Sequence, residues 1–171
     1  FLVAVISARL DRVATRRLSG EVAVNDGDSL TLKGERIRLK GIDAPEYAQT
    51  CEKDGERYPC GRRSREALAG LAAKGPVECV GWERDRYGRL LAVCTAGGVD
   101  VNRTQVEQGW AVAFGDYDDL EALARAKRRG LWAGSFERPR EWRIEHGAMA
   151  ETEHDLMSRM LNWLTSIFGL S

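Results

Sequence analysis

The chain has 171 residues, 43% hydrophobic and 30% charged, with 26 basic and 26 acidic side chains and no net charge. That length and mixture suit one folded domain with a tail to spare, and they exclude a polar, disordered chain. The balanced charge argues against a uniformly basic nucleic-acid binder but leaves room for local fields: basic residues gather at Arg62, Arg63 and Arg65, at Arg84, Arg86 and Arg89, and at Lys127, Arg128 and Arg129, while acidic ones gather at Asp116, Asp118 and Asp119 and at Glu151, Glu153 and Asp155.

In chain order, the opening FLVAVIS runs into Arg9, Asp11 and Arg12. Seven apolar or small residues fall well short of the roughly 20 that cross a bilayer. The segment 1–18 reads either as a first strand or frayed arm, or as the end of an export signal or membrane anchor. A strand pattern starts at Ser19: EVAV, a turn at NDGD, SLTLK, a turn at Gly34-Glu35, then RIRLKGI. Leu30 and Leu32, and then Ile37 and Leu39, alternate as half-buried strands do. A helix carries Ala67, Leu68, Leu71 and Ala72 on one face and ends at Gly75-Pro76. Two apolar runs, Val77–Gly81 and Leu90–Thr95, flank the turn-like DRYGR. A second helix spans Val101–Gln108 and stops at Gly109, followed by the short apolar WAVAF. A third covers Asp118–Arg129, with Asp116 or Asp118 as N-cap, Leu120 and Leu123 inward and Gly130 as C′. The expected fold is α+β: a five-stranded Greek-key OB-type barrel with about three helices. Beyond Arg143, residues 144–171 form a tail in which Leu156, Met160, Trp163 or Leu164, and Ile167 recur at helical spacing. That amphipathic helix suits docking on the domain or a second copy better than lying on a membrane, for which it carries little lysine and arginine.

Four cysteines permit three pairings. In a hairpin centred between Arg86 and Tyr87, Cys79 and Cys94 stand directly opposite each other. Cys51 and Cys60 then close the polar loop EKDGERYP. Two disulfides imply an oxidising, extracytoplasmic compartment and favour the export reading of the N-terminus. A four-cysteine zinc site is the alternative, against which stands the absence of any CxxC spacing.

Asn25–Glu46, NDGDSLTLKGERIRLKGIDAPE, places Asp28, Asp43, Glu46 and Arg38 on short strands or tight turns. Asp43 and Glu46 flank Ala44-Pro45 where the third strand ends. Hard cations need oxygen ligands on rigid backbone, which strand ends supply. Either acidic turn alone reads as an ordinary polar turn; both, with an arginine between and DRYGR downstream, read as a site.

The combination DGDS, IRLKGIDAPE, DRYGR and GLW, spread over residues 19–143, resembles the staphylococcal nuclease family. The resemblance implies an OB-fold barrel with Asp28 and Asp43 as Ca²⁺ ligands and the main-chain carbonyl of Ala44 as a third. It implies that Arg38 and Arg89 bind phosphate and that Glu46 is the general-base candidate. Ala44 stands where the family often has threonine, and Ser29 where threonine is common. The four cysteines resemble an exported bacterial branch. The implied activity is Ca²⁺-dependent endonucleolytic hydrolysis of DNA and RNA, preferentially unpaired, that leaves 3′-phosphate ends. Arg86 and Tyr87 stand beside Arg89 as candidates for the neighbouring phosphate. Tyr117 and Phe114 are candidates for stacking on a base, although Phe114 serves equally as core. The histidines, His146 and His154, both lie in the tail and offer no rival mechanism. A binding module without catalysis is the alternative, but such modules usually lack one of these carboxylates or arginines.

Overall fold

The computed structural model describes residues 15–146. The expected N-terminal export or anchor segment up to residue 14, the C-terminal amphipathic stripe, its acidic residues and His154 lie outside the described residues. Five strand lines make the barrel. The first is a bent strand, β1 (Arg16–Gly20) and β2 (Val22–Val24), interrupted at Glu21. It starts three residues ahead of the Ser19 read from the sequence. The others are β3 (Ser29–Leu32), β4 (Glu35–Leu39), β8 (Val77–Arg84) and β9 (Leu90–Ala96). Neighbours run β1-β8-β9-β4-β3-β2, so the bent strand forms both ends of the sheet and closes it. All of these pairings are antiparallel except β4 with β9, which is parallel.

Strand alternation builds the interior. Leu30, Leu32, Ile37, Leu39, Val77, Leu90 and Ala92 are buried in one cluster. Burying a leucine or isoleucine side chain fully contributes about 1.5–3 kcal/mol each. The β3–β4 turn is formed by Lys33 and Gly34, both at positive φ (52° and 81°), one residue earlier than Gly34-Glu35. Cys79 and Cys94 face each other in the β8–β9 ladder and form one disulfide; Cys51 and Cys60 form the other. The Cys51–Cys60 segment is a small hairpin, β6 (Cys51–Lys53) with β7 (Glu56–Tyr58), rather than a loop. The register of β8 slips at Trp82, a bulge that shifts the last two pairs by one residue.

The described residues hold four α-helices, against about three expected: α1 (Cys60–Ala72), α2 (Val101–Glu107), α3 (Asp118–Ala126) and α4 (Pro139–Glu145), with a 3₁₀ turn at Gly130–Ala133. Leu68 and Leu71 of α1 are buried against the barrel, and Gly109 ends α2 as expected. The third helix departs from expectation at both ends. Its N-cap is Tyr117, at φ 70°, without a side-chain cap bond, so neither Asp116 nor Asp118 caps it. It stops at Ala126 because Arg128 turns left-handed (φ 49°). The Arg128 and Arg129 amides then close back on Arg125 and Ala124. Gly130 therefore lies beyond the cap. Leu120 is buried, but Leu123 is exposed.

Candidate active site

Asp28 sits between β2 and β3 in a loop fixed from behind. Gln105 of α2, fully buried, donates to the Gly27 carbonyl at 2.9 Å, and a Cβ on Gly27 would overlap Ser64 and Ala44. Arg38 stands on β4, on the face opposite Ile37 and Leu39. The chain then turns at Gly41 (φ 80°), where a Cβ would collide with Asp116. It runs into β5 (Ile42–Asp43), which pairs with β10 (Val112–Ala113). That reversal brings Asp43 back over Arg38.

The contacts are dense. Arg38 forms an ion pair with Asp28 and reaches Asp43 Oδ1 at 2.7 Å. The other oxygen of Asp28 accepts the Ala44 amide at 2.6 Å. Arg143 of α4 completes the set: its Nη1 donates to Asp43 Oδ1 at 3.0 Å and to Glu46 Oε1 at 2.9 Å, while Nη2 donates to Asp43 Oδ2 at 3.0 Å. Asp28, Arg38, Asp43 and Arg143 are all buried, whereas the Glu46 side chain is 36% exposed. The Glu46 loop is held by Gln49, which is fully buried: its Oε1 accepts the Glu46 amide and its Nε2 donates to Glu137 O. Gly61, next to disulfide-bonded Cys60, packs so closely that a Cβ there would overlap the Glu46 carbonyl.

With all three carboxylates ionised, two guanidinium cations face three anions, leaving one net negative charge. Burial pushes the Asp28 carboxyl well above the usual carboxylate range; Arg38 pulls it down, and Asp26 and Asp43 push it up. Hard, buried oxygens with surplus negative charge fit a hard cation, which would keep Asp28 ionised. Among the described residues no group of three or more His, Cys, Asp or Glu converges as a metal cluster. The buried acidic oxygens come from two aspartates, each paired with an arginine.

Arg89 lies at the end of the DRYGR turn, two residues before Leu91, the ladder partner of Arg38. Its Nε pairs with Asp85 Oδ2 at 2.6 Å. Arg86 and Arg89 both lie over the Tyr87 ring, at 4.9 and 5.3 Å from its centroid, and Arg36 donates to the Tyr87 carbonyl at 2.7 Å. Arg86, Tyr87 and Arg89 therefore form one basic, partly exposed patch. Tyr117 is separate: half-buried, it packs against the core beside Gly41. Phe114 is buried, in keeping with a core role.

The family model described as staphylococcal nuclease homologue matches residues 36–134, more than half of the chain. The chain belongs to the staphylococcal nuclease family. Family membership supports nuclease activity in general. A Rhizobium meliloti relative, succinoglycan biosynthesis protein ExoI, is 39% identical over 140 residues, covering 75% of this chain and 73% of its own. An Escherichia coli O157:H7 protein described as an uncharacterized endonuclease is 36% identical over 123 residues, covering 66% of this chain and 74% of its own. The rice probable staphylococcal-like nuclease CAN1 is 34% identical over 124 residues; these are 68% of this chain but 35% of the rice protein, so the chain spans about a third of that relative.

Sequence reading missed Arg143, Gln49, Gln105 and Asn102. Asn102 of α2 is fully buried and donates to the Lys40 and Ala92 carbonyls, at 2.9 and 3.0 Å, where the parallel β4–β9 ladder ends. None belongs to a local acidic or basic motif, and the Arg143 contacts to Glu46 and Asp43 span 97 and 100 positions.

Proposed function

We propose that the protein is a Ca²⁺-dependent endonuclease that hydrolyses DNA and RNA, preferentially unpaired, to 3′-phosphate products, and that it works outside the cytoplasm. The observation that carries this reading is the buried Asp28–Arg38–Asp43 cluster, with the partly exposed Glu46 beside it. The ligands would be the Asp28 and Asp43 carboxylates with the Ala44 carbonyl, where Ca²⁺ supplies Lewis-acid polarisation of a phosphate oxygen. Arg38 and Arg89 donate to the remaining non-bridging oxygens and stabilise the charge that builds on them. Glu46 orients the attacking water and accepts its proton. Water adds to phosphorus, the bond to the 5′-oxygen breaks, the leaving oxygen takes up a proton from solvent to become a hydroxyl, and the phosphate stays on the 3′ side. Arg86 and Tyr87 hold the neighbouring phosphate, and Tyr117 stacks on a base.

Residues 19–143 carry this activity in the reading. The two disulfides support an extracytoplasmic site, and the segment ahead of β1 would supply export or a membrane tether. No helix among the described residues is long and apolar enough to cross a membrane. A binding-only module is disfavoured because all five side chains are retained. The test is cleavage of single-stranded DNA and RNA with CaCl₂ or with EGTA, with end-group analysis of the products. Activity that survives EGTA, or 5′-phosphate ends, refutes the reading. Succinoglycan belongs in the same assay because of the Rhizobium relative; this reading expects it to stay intact, since a glycosidic bond offers no phosphate to the arginines.

A further inference from the structure

Arg143 stands outside the residues matched by the family model, on the last described helix, yet it touches both Asp43 and the Glu46 side chain. Its Nη1 is shared between them, at 3.0 Å to Asp43 and 2.9 Å to Glu46. Without a cation between them these two carboxylates would repel, and Glu46, the more exposed, would swing toward water. The arm that delivers Arg143 is tied down twice. Arg138, at the N-cap of α4, bonds both oxygens of the Glu121 carboxylate at 3.0–3.1 Å, and Gln49 Nε2 reaches the Glu137 carbonyl at 2.7 Å. Gln49 also accepts the Glu46 amide, so one side chain aligns the base-bearing loop and the helix carrying its partner.

We propose that Arg143 is a positioning residue that fixes the Glu46 carboxylate against Asp43 and, in doing so, lowers the affinity of the site for its cation. The inference rests on the proposed Ca²⁺-dependent reading and deepens it. A guanidinium forked on Asp43 occupies ligand oxygens and contributes positive charge a few ångströms from where a divalent ion would bind. The same fork restricts Glu46 to the orientation in which it can meet the attacking water. Removing it therefore moves two measurable quantities in opposite directions. A residue that only braces α4 would move both the same way or neither.

The experiment uses the full chain as wild type, Arg143→Ala, Arg143→Lys and, as a control on the same helix, Ile144→Ala at an exposed position. Ca²⁺ alone is titrated by calorimetry without substrate, and kcat and KM are measured on single-stranded DNA at saturating Ca²⁺. Arg143→Ala is expected to bind Ca²⁺ roughly threefold to tenfold more tightly while kcat falls about 10- to 100-fold with little change in KM. Arg143→Lys keeps the charge but cannot fork, so its Ca²⁺ affinity stays within about twofold of wild type while kcat stays low. Ile144→Ala matches wild type in both. Unchanged kcat in Arg143→Ala, or Ca²⁺ affinity that falls with it, overturns the proposal. If Arg143→Ala does not fold, full kcat in Arg143→Lys overturns it equally. Wild-type protein that binds no Ca²⁺ instead refutes the metal reading beneath it, a failure separately visible in the calorimetry.

Discussion

Arg89 is bound before any substrate arrives. Asp85 Oδ1 accepts the amides of Tyr87 and Arg89, each at 2.9 Å, and its Oδ2 takes the Arg89 guanidinium, so the turn holds the side chain in place. Arg89→Ala is expected to lower kcat by about 10²-fold or more, with a smaller loss of DNA affinity; Arg89→Lys should rescue poorly because an ammonium cannot reproduce the two-pronged contact. Steady-state kinetics with circular dichroism to confirm the fold decides it, and wild-type kcat in the alanine variant sinks the role. Asp43 presents a different case. It is buried between Arg38 and Arg143, so Asp43→Ala leaves two guanidinium groups without their shared partner. The expected result is loss of Ca²⁺ affinity together with about 3–5 kcal/mol of stability, measured by urea denaturation; a variant of unchanged stability would show that the cluster relaxes into water. At this scale the local motifs singled out Asp28, Arg38, Asp43 and Glu46, which the fold links through Arg38 and Arg143. Arg143 stayed hidden because an arginine in a short terminal helix has no distinguishing spacing.

The two disulfides do different jobs at the level of elements. Cys79–Cys94 joins adjacent strands in the barrel wall, with Cα atoms 4.1 Å apart and both cysteines fully buried. Cys51–Cys60 ties the β6–β7 hairpin to the start of α1, beside the Glu46 loop. Their loops, of sequence separation 15 and 9, are each expected to contribute about 3 kcal/mol on the chain-entropy model. Catalysis separates them: replacing Cys51 and Cys60 with serine is expected to lower kcat, whereas replacing Cys79 and Cys94 lowers the denaturation midpoint and leaves kcat near wild type. Equal effects on kcat would contradict this division. The Cys79–Cys94 pairing was readable because opposed residues of an antiparallel ladder share an index sum; the bulge at Trp82, which moves the turn's centre onto Tyr87, was not. The ends of α3 were not. A left-handed tyrosine at the N-cap and a left-handed arginine at C′ contradict local preference; the Tyr117 ring lies against Gly41, and the Arg128 and Arg129 amides close the other end.

For the molecule as a whole, the balanced charge of the sequence conceals local groupings, with arginines around the β8–β9 turn and carboxylates gathered about Arg38. The pH dependence of stability carries one clear signature. Burial, with Asp100 and Asp116 nearby, pushes the Tyr117 phenol up to about 12. An unfolded chain ionises tyrosine near pH ~10, so this contribution is present in full below that pH and is lost as pH rises through about 12. Tyr117→Phe should flatten the fall in stability over that alkaline range in denaturation curves; an unaltered slope refutes the assignment. Periodicity exposed the barrel itself, since alternating leucines and a centred hairpin are local signals. The closure was not exposed, because it depends on one strand serving two partners. Residues 16–20 cover β8 and residues 22–24 cover β3. Trimming the chain from its N-terminus past Glu21 would bare β8, and trimming past Val24 would also bare β3. Unpaired strands recruit strands from other molecules. Such shortened proteins should lose solubility before they lose secondary structure, and the bent strand therefore acts as the molecule's guard against self-association.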